Sequence, residues 1–226
     1  MGEKIRIGAL ISGGGTNLQA IIDSCEDGRI DGEMAFVGSD QPGVKGLERA
    51  RKHNIDNFVV EYGPFAQAYR QDPTQFELPE DFDYSEILAK QHLFHADAPE
   101  GRVREFLCTR AAAEKRLLAE IENRGPVDLL VLAGFMRNLT PYFIDRFNTD
   151  LNNPRIMNIH PAILPSFPGV DGYGDTFRYG SKVGGCTVHF IDYGEDSGPI
   201  IGQRAFPILE TDTLDDVKRK GLDQEW

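Results

Sequence analysis

The sequence predicts a mostly parallel, doubly wound α/β sheet with an inserted segment, and three observations carry that prediction. Short apolar runs alternate with helix-period stretches between Ile5 and Val60. A glycine run, Gly13-Gly14-Gly15, sits where the first strand turns into the first helix. The same alternation returns at Thr109, after a stretch rich in acids and aromatics. Strands separated by helices read as βαβ units, which need right-handed crossovers and give a parallel sheet.

Residues 5–11 (Ile-Arg-Ile-Gly-Ala-Leu-Ile) form a nearly continuous apolar run, the pattern of a strand buried on both faces. The glycines stop it, and a helix follows. Thr16 is the expected N-cap, with Gln19 at the capping-box position. Leu18, Ile21, Ile22 and Cys25 then repeat at helical spacing on one face. Residues 34–38 read as a second strand, 44–53 as a helix with Leu47 and Ala50 inward, and 57–60 as a third strand. Residues 61–108 break the rhythm. They hold four prolines and eight of the 22 aromatics, too many aromatics for a disordered linker. A partly helical insertion that packs on the domain is expected there, because a structureless loop of this length is improbable. A helix over 109–123 and a strongly apolar strand over 128–133 follow. Next come a short helix over 141–148 with Pro141 in its first turn, and a strand over 155–160 stopped by Pro161. Residues 185–192 and 199–206 read as an antiparallel pair joined by a turn around 194–198, and 213–226 as an amphipathic helix.

Composition narrows the function. The 226 residues carry 24 Lys and Arg against 36 Asp and Glu, a net charge of −12. Residues 61–108 supply half of that excess, with ten acidic and four basic side chains. So acidic a chain lacks the basic footprint that nucleic acid or an anionic membrane requires, although a local pocket for one phosphate remains open. No apolar run approaches the ~18 residues of a membrane span. The N-terminal run is too short for a signal-peptide core, and Gly2 lacks a myristoylation pattern. Cys25, Cys108 and Cys186 are odd in number and far apart, which predicts buried thiols in a reduced, cytoplasmic compartment. No histidine pattern predicts a metal site; His92 and His95 read as surface or packing residues and His189 as a satisfied sheet histidine.

Three places can do chemistry. The loop Ser12-Gly13-Gly14-Gly15-Thr16-Asn17 joins a parallel strand to a helix. Glycines there let a backbone approach an anion, and the helix N-terminus offers free N–H groups. Leu18 stands where a dinucleotide fingerprint needs glycine, and the Walker lysine is absent, so the loop fits a monophosphate. In Asn158-Ile159-His160-Pro161, Asn158 and His160 project to the same face at the carboxyl end of a strand. An amide and an imidazole side by side can donate to one developing oxyanion. Asp196, in Glu195-Asp196-Ser197-Gly198-Pro199, could hold that imidazole protonated, with Asp192 a competing candidate. Each feature also has a plain structural reading: a ligand-free glycine turn, strand-end side chains satisfying backbone groups, and a turn aspartate.

Together these residues resemble the folate-dependent phosphoribosylglycinamide formyltransferase family. The similarity lies in the run from Ser12 to Ile22, in Leu132-Ala133-Gly134-Phe135-Met136-Arg137, in Asn158-Ile159-His160-Pro161 with Leu164-Pro165-Ser166-Phe167-Pro168-Gly169, and in Asp196. It covers residues 5–60 and about 109–226. The resemblance implies a Rossmann-like formyltransferase fold. It implies transfer of the formyl group of the co-substrate 10-formyltetrahydrofolate to the glycine amine of glycinamide ribonucleotide in purine biosynthesis. It makes Asn158, His160 and Asp196 catalytic, and gives Gly15, Thr16, Asn17 and Glu225 to the phosphate and ribose. Arg110, Met136, Arg137, Leu139 and Asp192 would line the folate site. Small-molecule substrates are its expected partners, without metal, nucleic acid or membrane, and with a monomeric or homodimeric state.

Two readings compete. A formyltetrahydrofolate deformylase would use the same three residues with water in place of the amine, but that family carries an extra N-terminal domain ahead of the first strand. A non-catalytic nucleotide-binding module would keep the glycine loop and lack the catalytic set. The chain departs from the family pattern at 61–108, at 171–182, and at its end. There a single domain of residues 1–226 is expected, with its terminal helix cut short at Trp226.

Overall fold

The computed structural model describes residues 4–150 and 152–225. The readings that fall on Gly2 and Trp226 lie outside the described residues.

Seven strands form one sheet: β1 (Ile5–Ile11), β2 (Gly32–Ser39), β3 (Asn57–Val59), β4 (Leu129–Leu132), β5 (Ile156–His160), β6 (Val183–Phe190) and β7 (Ile200–Pro207). Their order is β3-β2-β1-β4-β5-β6-β7. The pairings from β3 through β5 are parallel, and β6 and β7 join antiparallel. The strand order reverses between β1 and β4, which opens a crevice at the carboxyl ends of those strands.

Period-2 alternation sorts the core into two layers. Ile7, Ala9, Ile11, Val37 and Val131 face α1 (Thr16–Glu26) and α2 (Lys45–Lys52). Leu10, Phe36, Leu130, Leu132 and Ile156 face the other way, toward α5 (Glu100–Glu122) and α6 (Pro141–Phe147). A third cluster, Tyr173, Phe206, Ile208 and Val217, seats α7 (Gly172–Tyr179) and α8 (Leu214–Glu225) on β6 and β7. All three cysteines are buried and unpaired.

Residues 61–108 hold α3 (Gly63–Gln71), α4 (Tyr84–Lys90) and the start of α5. Tyr62, Ile87, Val103 and Leu107 are buried in the same cluster as α6 and the sheet. This segment is fastened to α6. Arg146 Nε donates to Asp81 at 2.9 Å, and Lys90 Nζ lies 2.7 Å from Asp145.

Several boundaries differ from the sequence reading. The long helix starts at Glu100 rather than 109, because Pro99 caps it and Cys108 and Thr109 continue its turns. Thr109 Oγ1 donates back to the Glu105 carbonyl at 2.8 Å, so it lies mid-helix. Thr16 is not the N-cap of α1; Gly15 is, with φ 69° and no side-chain cap. Gln19 instead bonds Asp23, Arg49 and His53. The 171–182 stretch, to which the sequence analysis assigned no element, contains α7.

Candidate active site

β5 delivers Asn158 and His160 to the crevice, and β6 lies beside it so that His189 pairs with Asn158 and Thr187 with His160. Two loops close over this strand end. The connection after β5 brings Phe167 and Gly169, and the β6–β7 connection brings Asp196. Phe167 and Asp196 both have positive φ, 55° and 50°. Aspartate adopts that region readily, whereas a bulky residue there is an outlier held by its surroundings.

The polar groups form one network. His160, 3% exposed, sets Nδ1 3.1 Å from Asp196 Oδ2. The same oxygen accepts the Gly169 N–H at 2.8 Å. His160 Nε2 lies 2.8 Å from the Phe167 carbonyl oxygen. Both ring nitrogens therefore face acceptors, and only the imidazolium can donate to both. Burial works against that charge, but Asp196 and the Phe167 carbonyl outweigh it and raise the His160 pKa. Partial burial works against the charge of Asp196, yet His160, His189 and the Gly169 N–H hold its carboxyl well below the usual carboxylate range. His189 was read from sequence as a satisfied sheet histidine. It is fully buried against the network, with Nε2 3.5 Å from Asp196 Oδ1 and 3.3 Å from Asn158 Nδ2. Its Nδ1 lies 2.9 Å from the Phe190 carbonyl oxygen.

Residues 12–17 border a cavity of about 250 Å³. α2 holds this loop from behind: Gly46 N–H donates to the Gly13 carbonyl at 3.0 Å, and Arg49 Nε to the Gly14 carbonyl at 2.9 Å. A Cβ on Gly15 would stand 2.8 Å from Gly46 Cα, so the close approach as well as the positive φ demands glycine. The first turn of α1, beginning at Thr16, borders this anion-sized space, and a helix N-terminus directs its N–H groups toward such a space. Asn17 Nδ2 donates to Glu225 Oε2 at 2.7 Å, and the Tyr173 hydroxyl to Glu225 Oε1 at 2.6 Å. Glu225 thus ties α8 and α7 to the loop.

Gly134 and Met136 also line a second cavity of about 220 Å³, which holds Asn158, His160 and Asp196. Leu139, buried, and Met136, 66% exposed, form part of its wall. Arg137 is anchored by buried Asp40, its Nε 2.5 Å from Oδ2. Arg110 lies between the Tyr62 and Phe106 rings, 4.7 and 4.9 Å from their centroids. Asp192 is outside this wall. Its Oδ1 accepts from Gly194 N at 3.1 Å and Ser197 Oγ at 2.7 Å, so it shapes the turn that carries Asp196.

Among the described residues no group of three or more His, Cys, Asp and Glu side chains is arranged to hold a metal ion. Among them, too, no helix is long and apolar enough to cross a membrane.

The model of the formyl transferase family matches residues 5–226, a span that includes 61–108. The phosphoribosylglycinamide formyltransferase of Bacillus subtilis is 30% identical over 217 residues, covering 95% of this chain and 87% of that protein. The trifunctional purine biosynthetic protein adenosine-3 of Chironomus tentans is 32% identical over 219 residues, which are 96% of this chain and 12% of that much longer protein. The crystal structure of glycinamide ribonucleotide transformylase 1 from Symbiobacterium toebii superposes with a TM-score of 0.71 at 38% identity, covering 100% of this chain and 84% of that one. With a match across residues 5–226 and an Asn158, His160 and Asp196 cluster at the carboxyl end of its parallel strands, the chain belongs to the formyl transferase family.

Proposed function

We propose that this protein transfers the formyl group of 10-formyltetrahydrofolate to the amine of glycinamide ribonucleotide, a step of purine biosynthesis. The observation that carries the reading is the pairing of buried His160 with Asp196 beside Asn158, in a cleft that adjoins the glycine-loop cavity through Gly134 and Met136. The glycine-loop cavity suits a phosphate, and the cleft, where Phe135, Met136 and Leu139 alternate with polar side chains, suits a flat ring with polar edges. The carbonyl to be attacked would lie between them. Gly15, Thr16 and Asn17 hold the phosphate, with Glu225 fixing Asn17 from behind. Arg110, Met136, Arg137 and Leu139 border the folate side. Asp192 supports that side through its turn.

In this reading the ribonucleotide amine attacks the formyl carbon, and negative charge develops on the formyl oxygen. Asn158 donates its amide N–H to that oxygen, and imidazolium His160 offsets the charge. Nε2–H is held by the Phe167 carbonyl until the oxyanion, a stronger acceptor, competes for it. One such donor in a preorganised site contributes roughly 10²–10³ in rate. Asp196 keeps His160 charged and supports movement of the proton lost by the amine to the folate nitrogen that departs. The enzyme acts on small molecules in the cytoplasm.

The test is loss of the formyl group from 10-formyl-5,8-dideazafolate, followed by absorbance, with and without glycinamide ribonucleotide. Turnover that needs the ribonucleotide and disappears in His160→Ala supports the transferase. Turnover without it means a deformylase, and none from folded protein means a binding module.

A further inference from the structure

The loop that carries Asp196 leaves the sheet after β6 and returns to it at β7. Its stem is tied by the Phe190 N–H to the Pro199 carbonyl and by the Ile191 N–H to the Ile156 carbonyl, both at 2.9 Å. Asp192 shapes the turn from within, accepting from Gly194 N and Ser197 Oγ. The first set of bonds ends at the stem and the second lies inside the turn, so neither sets the distance from the tip to His160. Asn138 Nδ2 reaches exposed Glu195 at 3.3 Å, a long hydrogen bond. The firmer external hold falls on Tyr193, three residues before Asp196.

Tyr193 is held at both ends. Its carbonyl accepts the His92 N–H at 2.8 Å, and its hydroxyl donates to Asp145 Oδ1 on α6. Its ring packs against the core cluster that contains Ile87 and Tyr142. Partial burial and the Asp145 carboxylate push the hydroxyl up to about 12, so it keeps its proton and remains a donor. Asp145 is held in turn by Lys90, whose Nζ stands 2.7 Å from Oδ2 and 2.6 Å from Glu86. A hydrogen bond to a charged partner is the stronger kind. Lys90 ends α4 and His92 follows shortly after it, so both belong to the 61–108 segment. Gln91, between them, fixes the turn that follows, its Oε1 accepting from Leu93 N at 2.9 Å and Phe94 N at 3.0 Å.

We propose that Lys90, Asp145 and Tyr193 are positioning residues, a clamp by which the 61–108 segment sets Asp196 against His160. The proposal rests on the catalytic reading of Asp196 and His160. Asp196 Oδ2 serves both His160 Nδ1, at 3.1 Å, and the Gly169 N–H, at 2.8 Å, from a residue with φ 50°. One atom with two fixed donors tolerates little displacement, and a misplacement of about 1 Å can cost about 10²-fold in rate. Lys90, Asp145 and Tyr193 lie outside the walls of both the cleft and the glycine-loop cavity. Their effect therefore falls on kcat and not on substrate binding. The segment that interrupts the βαβ rhythm thus serves catalysis through the loop it grips.

The test compares wild type with Tyr193→Phe, Lys90→Met, Lys90→Arg and Asp81→Ala. Tyr193→Phe keeps the ring and removes the hydroxyl. Lys90→Met keeps most of the stem and removes the charge. Asp81→Ala cuts the Arg146 contact, which joins the same segment to the same helix without leading to Tyr193. Each protein is read by kcat, KM and the NMR titration of the His160 ring, which needs no substrate. Tyr193→Phe should lower kcat about tenfold, the scale of one hydrogen bond to a charged group, with little change in KM. Its His160 midpoint should fall, because the pairing with Asp196 loosens. Lys90→Met should move both in the same direction by less, and Lys90→Arg should restore them. Asp81→Ala should lower the melting temperature and leave kcat and the midpoint at their wild-type values. An unchanged His160 midpoint in folded Tyr193→Phe overturns the clamp; if that variant does not fold, Lys90→Met decides in the same way. An equal shift in Asp81→Ala also overturns it, since that means general loosening. Wild type without ribonucleotide-dependent turnover removes the formyl-transfer reading, while the His160 midpoints still decide the clamp.

Discussion

Asp196→Asn isolates the charge of the catalytic network from its geometry. Asparagine tolerates the positive φ of 50° at this position, so the turn should keep its shape. The oxygen that accepts from both His160 Nδ1, at 3.1 Å, and Gly169 N, at 2.8 Å, is a single atom, and an amide oxygen can replace it. The amide nitrogen then faces His189 Nε2, which is 3.5 Å from the present Oδ1. His189 can accept there while Nδ1 donates to the Phe190 carbonyl. Only the negative charge is lost.

That loss can be sized. A hydrogen bond to a charged partner contributes about 1.5–3 kcal/mol and a neutral one about 0.5–1.5, so the difference is on the order of 1–1.5 kcal/mol. At 1.36 kcal/mol per unit, the His160 pKa should fall by about one unit. The imidazolium fraction near neutral pH then drops by up to about tenfold. Loss of the aspartate's help in proton movement adds to this, and positioned proton transfer contributes roughly 10²–10⁴. The expected outcome is kcat reduced by about 10²-fold or more with little change in KM.

Stability should follow a defined window. The depressed Asp196 carboxyl stabilises the fold above the unfolded carboxylate value of about 3.9, and that contribution is lost as pH falls toward its lower folded value. The raised His160 stabilises it below about 6.5, and that contribution is lost as pH rises through the folded value. Wild type should exceed the variant most between those limits. The assays are kcat against pH and the NMR titration of the His160 ring. An unchanged His160 midpoint with unchanged kcat in folded Asp196→Asn would refute the reasoning.

Other perturbations follow from the same structure. Gly15→Ala places a methyl 2.8 Å from Gly46 Cα at φ 69°. It should destabilise by about 1–2 kcal/mol or more and raise KM for the ribonucleotide, and an unaltered melting temperature and KM would contradict the loop's role. Glu114 is fully buried, and burial pushes its carboxyl up to about 8 despite the Thr140 N–H at 2.9 Å and the Thr140 hydroxyl at 2.5 Å. The unfolded chain releases that proton first, so wild-type stability falls as pH rises from about 4.3 toward 8, by up to about 1.4 kcal/mol per pH unit. Glu114→Gln should flatten this slope in melting curves, and parallel curves would argue against it. Leu107→Ala empties a fully buried position in the first half of α5 and should cost about 2–5 kcal/mol in denaturant unfolding. A cost near zero would mean that 61–108 is not part of the core.

Local periodicity carried much of the fold and part of the site. The run from Ile5 to Ile11 and its glycine stop announce a buried parallel strand and an anion loop, because both depend on neighbours in sequence. Asn158 and His160 share a face through the period of one strand. His189 joins them only through the antiparallel register of β5 and β6, a long-range fact with no local signature. α7 was hidden because Gly172 and Gly174 are poor helix formers, and tertiary packing overrides them. Gly221 on α8 admits the Tyr173 ring, which a Cβ would meet at 2.1 Å, and so lets its hydroxyl reach Glu225.

Charge was the least legible property, for a physical reason. A net charge of −12 bears on solubility and argues against large anionic partners. A binding site, however, responds to charges within about a Debye length, about 8–10 Å, and to which face of a helix carries them. In 61–108 most acids lie on exposed surface and Asp81 pairs with Arg146 of α6, while Arg102 lies beside the Phe94 ring. A segment that reads as an anion in sequence thus places Arg70 and Arg102 at the border of a cavity beside the cleft. The sign of a site follows from where helices point their side chains, and no sum over residues contains that information.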